Sequence, residues 1–257
     1  MSNLLRKAIA EKGSAVGTFL GVSTPPVLEA ISGAGLDFVV IDCEHGLYDT
    51  MAMSDMIRSA ESKGIAPVVR VADLTHGAMQ RALDSGAQGV IIPCLRTVEE
   101  FRKAVELAKF APLGNRGFIK GRGSGFGSAA WAAGSLSDYM SESNERALLL
   151  PQCETAEALA HIEEIAAIEG IDGVFIGPFD LSICMGIPAQ FDHPDFHAAM
   201  RCILAACRNA GKLCLTFTTS CDEARAYLAA GYDAVAIGLD TAVFHDAYRR
   251  TVAAVRR

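Results

Sequence analysis

The chain has 257 residues, 51% of them apolar and 21% charged. This is globular composition, which excludes a disordered chain, and at this length a core needs no disulfide or metal staple. The net charge of −7 counts against nucleic-acid binding, which rests on clustered Lys and Arg, but not against small anions, which respond to local charge.

Hydrophobic runs and helical stretches alternate along the whole chain. Strands are expected at 15–20 (AVGTFL), 37–42 (DFVVID), 66–71 (APVVRV) and 89–92 (GVII), with helical patterns at 27–34, 51–63, 77–85 and 98–109 between and after them. Further strands follow at 148–152, 173–176, 213–217 and 234–238, with helices at 156–168, 196–210, 222–230 and 242–255. The strand runs are nearly continuous rather than alternating, which suits parallel strands covered on both faces. Gly35, Gly86, Gly170 and Gly231 each close a helical stretch just before a strand, marking a repeated joint between helix and strand. Eight such units predict an α/β fold, a (β/α)8 TIM barrel. No G-x-G-x-x-G fingerprint follows the first strand, which argues against an open nucleotide-binding sheet. The chain is expected to form a single domain over 1–257.

Residues 111–147 break this rhythm. Seven glycines fall between 114 and 134, so a long loop with a short helix is expected, serving the active site or an interface. Eight cysteines lie scattered without a C-x-x-C pair or zinc spacing. The N-terminus lacks the apolar segment of a secretion signal, and no run reaches the ~18 apolar residues of a membrane span. A cytoplasmic protein with reduced thiols and no membrane partner is the expectation.

In such a barrel, chemistry collects at the C-terminal ends of strands. Asp42, Cys43, Glu44 and His45 end the second strand, with Asp49 following. Arg70 ends the third, Gln152 and Glu154 the fifth, Phe179 and Asp180 follow the sixth, and Asp240 the eighth. Glu154 and Asp180 top adjacent strands, and two facing carboxylates call for a cation between them; Mg2+ or Mn2+ fits oxygen ligands. The alternative is that each caps its following helix. Arg70 suits either a structural bridge to Asp42 or Glu44, or the carboxylate or enolate oxygen of a substrate. His45 is the natural acid/base, since imidazole exchanges protons near neutral pH. The other histidines have no constellation around them. No lysine falls within a strand or at its C-terminal end, which argues against imine catalysis.

Several stretches match a known pattern in order: 35–45 (GLDFVVIDCEH), 69–71 (VRV), 82–89 (ALDSGAQG), 112–117 (PLGNRG), 152–155 (QCET) and 174–182 (VFIGPFDLS). Together they resemble the HpcH/HpaI family of metal-dependent (class II) pyruvate aldolases, which includes 4-hydroxy-2-oxoheptanedioate and 2-dehydro-3-deoxyglucarate aldolases. The resemblance implies that Glu154 and Asp180 bind a divalent metal (Mg2+, Mn2+ or Co2+). It implies that Gln152 and Arg70 hold the 2-oxo acid, and that the N–H groups near Phe179 and Asp180 receive its carboxylate. His45 becomes the acid/base with Asp42 beside it, and Asp84 its partner across a subunit interface. A homo-oligomer, trimer or hexamer, often with an exchanged last helix, is also implied.

The expected reaction is reversible retro-aldol cleavage of a 4-hydroxy-2-oxo acid to pyruvate, or a close 2-oxo acid, and an aldehyde. Two other readings stay open: another metal-enolate lyase or decarboxylase on the same scaffold, and a noncatalytic barrel that binds 2-oxo acids. Phe19 stands where many relatives carry tryptophan, and 117–131 departs from the usual pattern.

Overall fold

A computed structural model describes residues 3–256; Met1 and Ser2 at the expected leaderless start, and Arg257 at the other end, lie outside the described residues. Eight parallel strands close into a barrel in sequence order, β1 pairing with both β2 and β8. They are β1 (Ala15–Leu20), β2 (Phe38–Asp42), β3 (Ala66–Arg70), β4 (Gly89–Ile92), β5 (Leu148–Cys153), β6 (Gly173–Ile176), β7 (Leu213–Thr218) and β8 (Ala234–Leu239). These bounds differ from the sequence expectation by a residue at most at either end.

The helices are α1 (Leu4–Lys12), α2 (Pro25–Ile31), α3 (Thr50–Ser62), α4 (His76–Asp84), α5 (Val98–Ala108), α6 (Leu136–Arg146), α7 (Ala156–Ala160), α8 (Ile162–Ala166), α9 (Pro178–Cys184), α10 (Pro194–Asn209), α11 (Cys221–Ala230) and α12 (Asp240–Val255). The single helix expected over 156–168 is broken at His161, whose φ of −113° and ψ of 17° leave the helical region. The sequence reading passed over α1 and α9. α9 starts on Pro178 right after β6, too soon for a loop to announce it.

The strands are buried on both faces, as their continuous apolar runs require. Side chains alternate across each strand. One set (Phe19, Phe38, Val40, Val68, Ile91, Leu150, Phe175 and Leu215 among them) fills the barrel. The other (Val39, Ile41, Val69, Val90, Ile92, Val174) packs outward on the helices. The four glycine joints all take positive φ, from 85° at Gly35 to 99° at Gly231, the left-handed turn that lets a helix stop and re-enter the sheet.

Residues 111–147 connect α5 to β5, so they run across the N-terminal ends of the strands, away from the expected catalytic face. The segment carries two short 3-10 turns and α6, and a small core of Phe110, Ala132 and Tyr139 with Trp131 stacked on Tyr139. An active-site role within one chain is thereby corrected: connectivity places this segment at the opposite end of the barrel. The same end holds the buried Lys109, whose Nζ donates to Asn144 O, Ala147 O and Asp172 Oδ2. That lysine is a structural tie.

Helix α12 is unlike the rest. Of its described side chains only Asp240 is buried, and Phe244, Tyr248, Val252 and Val255 form an exposed apolar stripe at helical spacing.

Candidate active site

The last inward-facing positions of the strands form the floor of a cavity of about 200 Å3 at the C-terminal mouth. Asp42, His45, Arg70, Gln152, Phe179 and Asp180 all line it, together with Phe19, Phe175, Gly177, Phe217 and Leu239. The structure therefore brings together six of the eight site residues expected from sequence. Glu154, the seventh, joins them through Gln152 beneath the same mouth. Asp84 stands apart. It ends α4 at the other end of the barrel, accepting from Arg116 Nη2 at 2.9 Å and from Gln80 Nε2 at 2.7 Å.

Arg70 and Asp42 are register partners on neighbouring strands, so their side chains emerge side by side. The guanidinium donates through Nε and Nη2 to the two Asp42 oxygens at 2.8 and 2.7 Å, and Nη1 lies 3.0 Å from Glu44 Oε2. It also sits over the Phe19 ring, 5.0 Å from the centroid. Burial works against its charge, but the Asp42 bond and the carboxylates of Asp42, Glu44 and Glu154 outweigh it and hold its pKa above the usual value. The structural bridge of Arg70 to Asp42 and Glu44 is therefore formed. Asp42 fixes the fork, and of its five N–H groups those left over on the two terminal nitrogens remain for a ligand.

Glu154 is 3% exposed. Its Oε1 accepts from the Cys94 N–H at 2.6 Å and its Oε2 from Gln152 Nε2 at 2.5 Å. Burial, reinforced by the nearby Asp180 and Glu44 carboxylates, pushes its carboxyl up to about 7 against the Cys94 bond and Arg70. Glu44 is raised as well, by burial first and then by Asp42 and Asp180, with Arg70 and His45 opposing. The capping alternative fails for both carboxylates: Thr155 caps α7 with its own side chain, and α9 has Gly177 at its N-cap. Asp49, by contrast, is the cap of α3. Asp240 is spent on the N–H groups of Gly21, Val22 and Thr241.

This donor set fits a hard divalent cation. Glu154 is a carboxylate raised first by burial and then by its anionic neighbours, and the buried Gln152 Oε1 has no hydrogen-bond partner. Among the described residues no three His, Cys, Asp or Glu groups form a closed cage. Two carboxylates with open positions suit Mg2+-like ions, which retain water and substrate oxygens.

Two backbone features shape the site, and the sequence reading missed both. A Cβ on Gly177 would lie 2.3 Å from Glu154 Oε2 and 2.7 Å from Gln152 Nε2, so only glycine lets these side chains lie against β6. Cys94, just past β4, takes a φ of 62°, costly for a side-chain-bearing residue, and from there donates its N–H to Glu154. Glu44, expected from sequence only as an alternative bridge partner of Arg70, is the second carboxylate against it. The strand-end rule reaches all three, because each lies within three residues of a strand's C-terminus.

The family model for HpcH/HpaI aldolase/citrate lyase matches residues 15–247. The chain belongs to the HpcH/HpaI aldolase/citrate lyase family. It is 36% identical to a hydroxypyruvate/pyruvate aldolase of Deinococcus radiodurans over 100% of this chain and 91% of that protein. It is 32% identical to the 2-keto-3-deoxy-L-rhamnonate aldolase of Escherichia coli over 98% of this chain and 93% of the relative. The HpcH/HpaI aldolase structure from Desulfitobacterium hafniense superposes with a TM-score of 0.90 at 28% identity, covering 100% of this chain and 98% of that one. As a member of this HpcH/HpaI family, the protein is a carbon–carbon lyase built on the (β/α)8 barrel. No helix among the described residues is long and apolar enough to cross a membrane.

Proposed function

We propose that the protein is a metal-dependent pyruvate aldolase that cleaves 4-hydroxy-2-oxo acids reversibly to pyruvate, or a close 2-oxo acid, and an aldehyde, the whole chain acting as one domain. The observation that carries this reading is the buried Glu154, held beside Gln152 and Arg70 under a mouth that also contains Asp180 and His45. Glu154 and Asp180 would hold the cation, which when bound supplies Lewis-acid polarisation of the keto oxygen.

Each residue then has a separate task. Arg70, fixed by Asp42, turns its remaining N–H groups toward the developing enolate charge and stabilises it where no reorganisation is needed. The unpartnered Gln152 Oε1 and the first N–H groups of α9, at Phe179 and Asp180, orient the 2-oxo acid. His45 is exposed at the rim and takes the proton of the 4-hydroxyl as the C3–C4 bond breaks. The electron pair of that bond becomes the pyruvate enolate, and the other carbon leaves as the aldehyde. No lysine lines the cavity, which favours this chemistry over an imine route.

The apolar stripe on α12 supports a homo-oligomer, trimer or hexamer, in which this helix packs on a second copy. Because Asp84 and His45 lie at opposite ends of one barrel, their pairing is open only to neighbouring subunits. Eight free cysteines support a reducing, cytoplasmic setting, and the negative net charge favours small-molecule partners over nucleic acid. The test is product formation: chelator-stripped protein is incubated with pyruvate and an aldehyde, with and without Mg2+, Mn2+ or Co2+. A new 4-hydroxy-2-oxo acid that forms only with metal is expected. Metal-restored pyruvate release from oxaloacetate with no aldol product would favour the decarboxylase reading instead.

A further inference from the structure

The mouth of the barrel is divided by chemistry. On the β2 to β6 side lie Asp42, Arg70, Gln152, Glu154 and Asp180. The β7, β8 and β1 side is walled by Phe217, Leu239 and Phe19, with Phe175 beneath and Phe179 at the rim. These rings form one packed surface: Phe19 meets Phe175 edge-on at 5.8 Å and Phe217 at 5.4 Å, and Phe179 lies 6.2 Å from Phe217. Phe217 and Leu239 are only half-buried and Phe179 is exposed, so the wall still presents apolar surface to the cavity.

Polar side chains on the strand ends behind this wall are engaged, the buried Thr216 Oγ1 on β7 excepted. Thr18 Oγ1 donates to Gly238 O, Thr218 Oγ1 to Glu223, and the Asp240 carboxylate accepts from three N–H groups of the loops around it. The guanidinium lining the cavity, Arg70, is tied to Asp42 and Glu44, and the His45 ring lies 3.8 Å from Glu44. Leu47, on the loop after β2, and Ile183, on α9, are exposed.

We propose that this half of the mouth is the acceptor subsite, and that it selects an apolar aldehyde, with an alkyl or aryl chain, over a polyhydroxylated or carboxylated one. The inference rests on the aldolase reading above, which assigns the polar half to the 2-oxo acid and leaves the wall to the aldehyde. The carbonyl end reaches His45 while the chain lies along Phe217, Phe19 and Leu239. A hydroxyl on that chain loses water and finds no partner, at a cost of about tenfold per group. A carboxylate finds no cation among this chain's residues of the wall. Each methylene laid on the wall instead contributes about fourfold in kcat/KM.

The experiment uses metal-loaded enzyme and pyruvate with propanal, butanal, pentanal and hexanal, against glyceraldehyde and glyoxylate. Expected is a kcat/KM that rises about fourfold per methylene until the wall is covered, with both polar aldehydes below butanal. Phe217→Ala should flatten the series, lowering hexanal turnover more than propanal turnover. A flat or falling series, glyceraldehyde or glyoxylate ahead of butanal, or a Phe217→Ala variant with an unchanged slope would overturn the acceptor assignment. Exchange of the pyruvate methyl protons is followed in the same samples. Exchange with a flat series overturns the acceptor inference alone, whereas no exchange brings down the aldolase reading and the inference with it.

Discussion

Replacing Glu154 with Gln should make the metal-free protein more stable at alkaline pH while removing its response to metal. The Glu154 carboxyl rises from 4.5 to about 7 on folding, chiefly through burial. At about 1.4 kcal/mol per tenfold change in proton affinity, the buried anion costs the fold about 3 kcal/mol. The folded value lies above the unfolded one, so this group's contribution is intact below about pH 4.5 and is lost as pH rises to about 7. Less than about 1 kcal/mol is gone at pH 5, and all of it at pH 8. In Glu154→Gln the amide oxygen can still accept from Cys94 N–H. A flip of Gln152 turns its unpartnered Oε1 toward the new NH2 group, so the pair remains bonded. The stability of the variant relative to wild type should therefore grow by about 2.5 kcal/mol between pH 5 and pH 8. For a chain of this size that is about 5–10 °C in Tm, read by thermal unfolding in chelator. Any packing cost of the amide is the same at both pH values and drops out. Metal at a hundred times its Kd should then add about 2.7 kcal/mol to wild type and nothing to the variant. A Tm difference that does not change with pH would refute the reasoning.

Gly177→Ala drives a methyl group against Glu154 Oε2 and should weaken Mn2+ binding by about 10–100-fold; calorimetric titration with unchanged affinity would show that Gly177 does not set the carboxylate. Arg70→Lys keeps the charge but cannot span both Asp42 oxygens. It should lower kcat by about 10²–10³-fold, and near-wild-type turnover would remove Arg70 from enolate stabilisation. Tyr248→Glu places a charge in the apolar stripe of α12 and should reduce the assembly mass seen by light scattering; an unchanged mass would take that stripe out of the subunit interface.

The barrel was legible because its signal is redundant. Eight continuous apolar runs, each followed by a helical period, and four glycine joints before strands agree on one architecture. The charged residues ending those runs stood out because apolar strands rarely finish in carboxylates and arginine without a ligand or partner. What escaped notice acts through backbone position rather than side-chain type. Gly177 reads as one more loop glycine, and Cys94 as one more scattered cysteine, until their contacts with Glu154 are visible. Phe175 and Phe217 carry no sequence signal that separates them from core residues, because each packs on the barrel interior. For the glycine-rich stretch, composition left an active-site and an interface role open, and its position after a helix and before a strand puts it at the other end of the barrel, away from the mouth of its own chain. Asp240 and Asp49 carried the same strand-end signal as Asp42 yet hold loops and a helix in place, so that signal alone does not separate ligand-binding from structural carboxylates.

The central claim is that Glu154, Asp180, Arg70 and Gln152 form a metal-dependent enolate site. It is tested most directly by NMR, following exchange of the pyruvate methyl protons in deuterated water with chelator-stripped enzyme, before and after adding Mg2+, Mn2+ or Co2+. Exchange should be absent without metal, restored by at least one of the three, and absent again in Glu154→Gln. Exchange that is indifferent to chelation, or that no metal restores, would contradict the account.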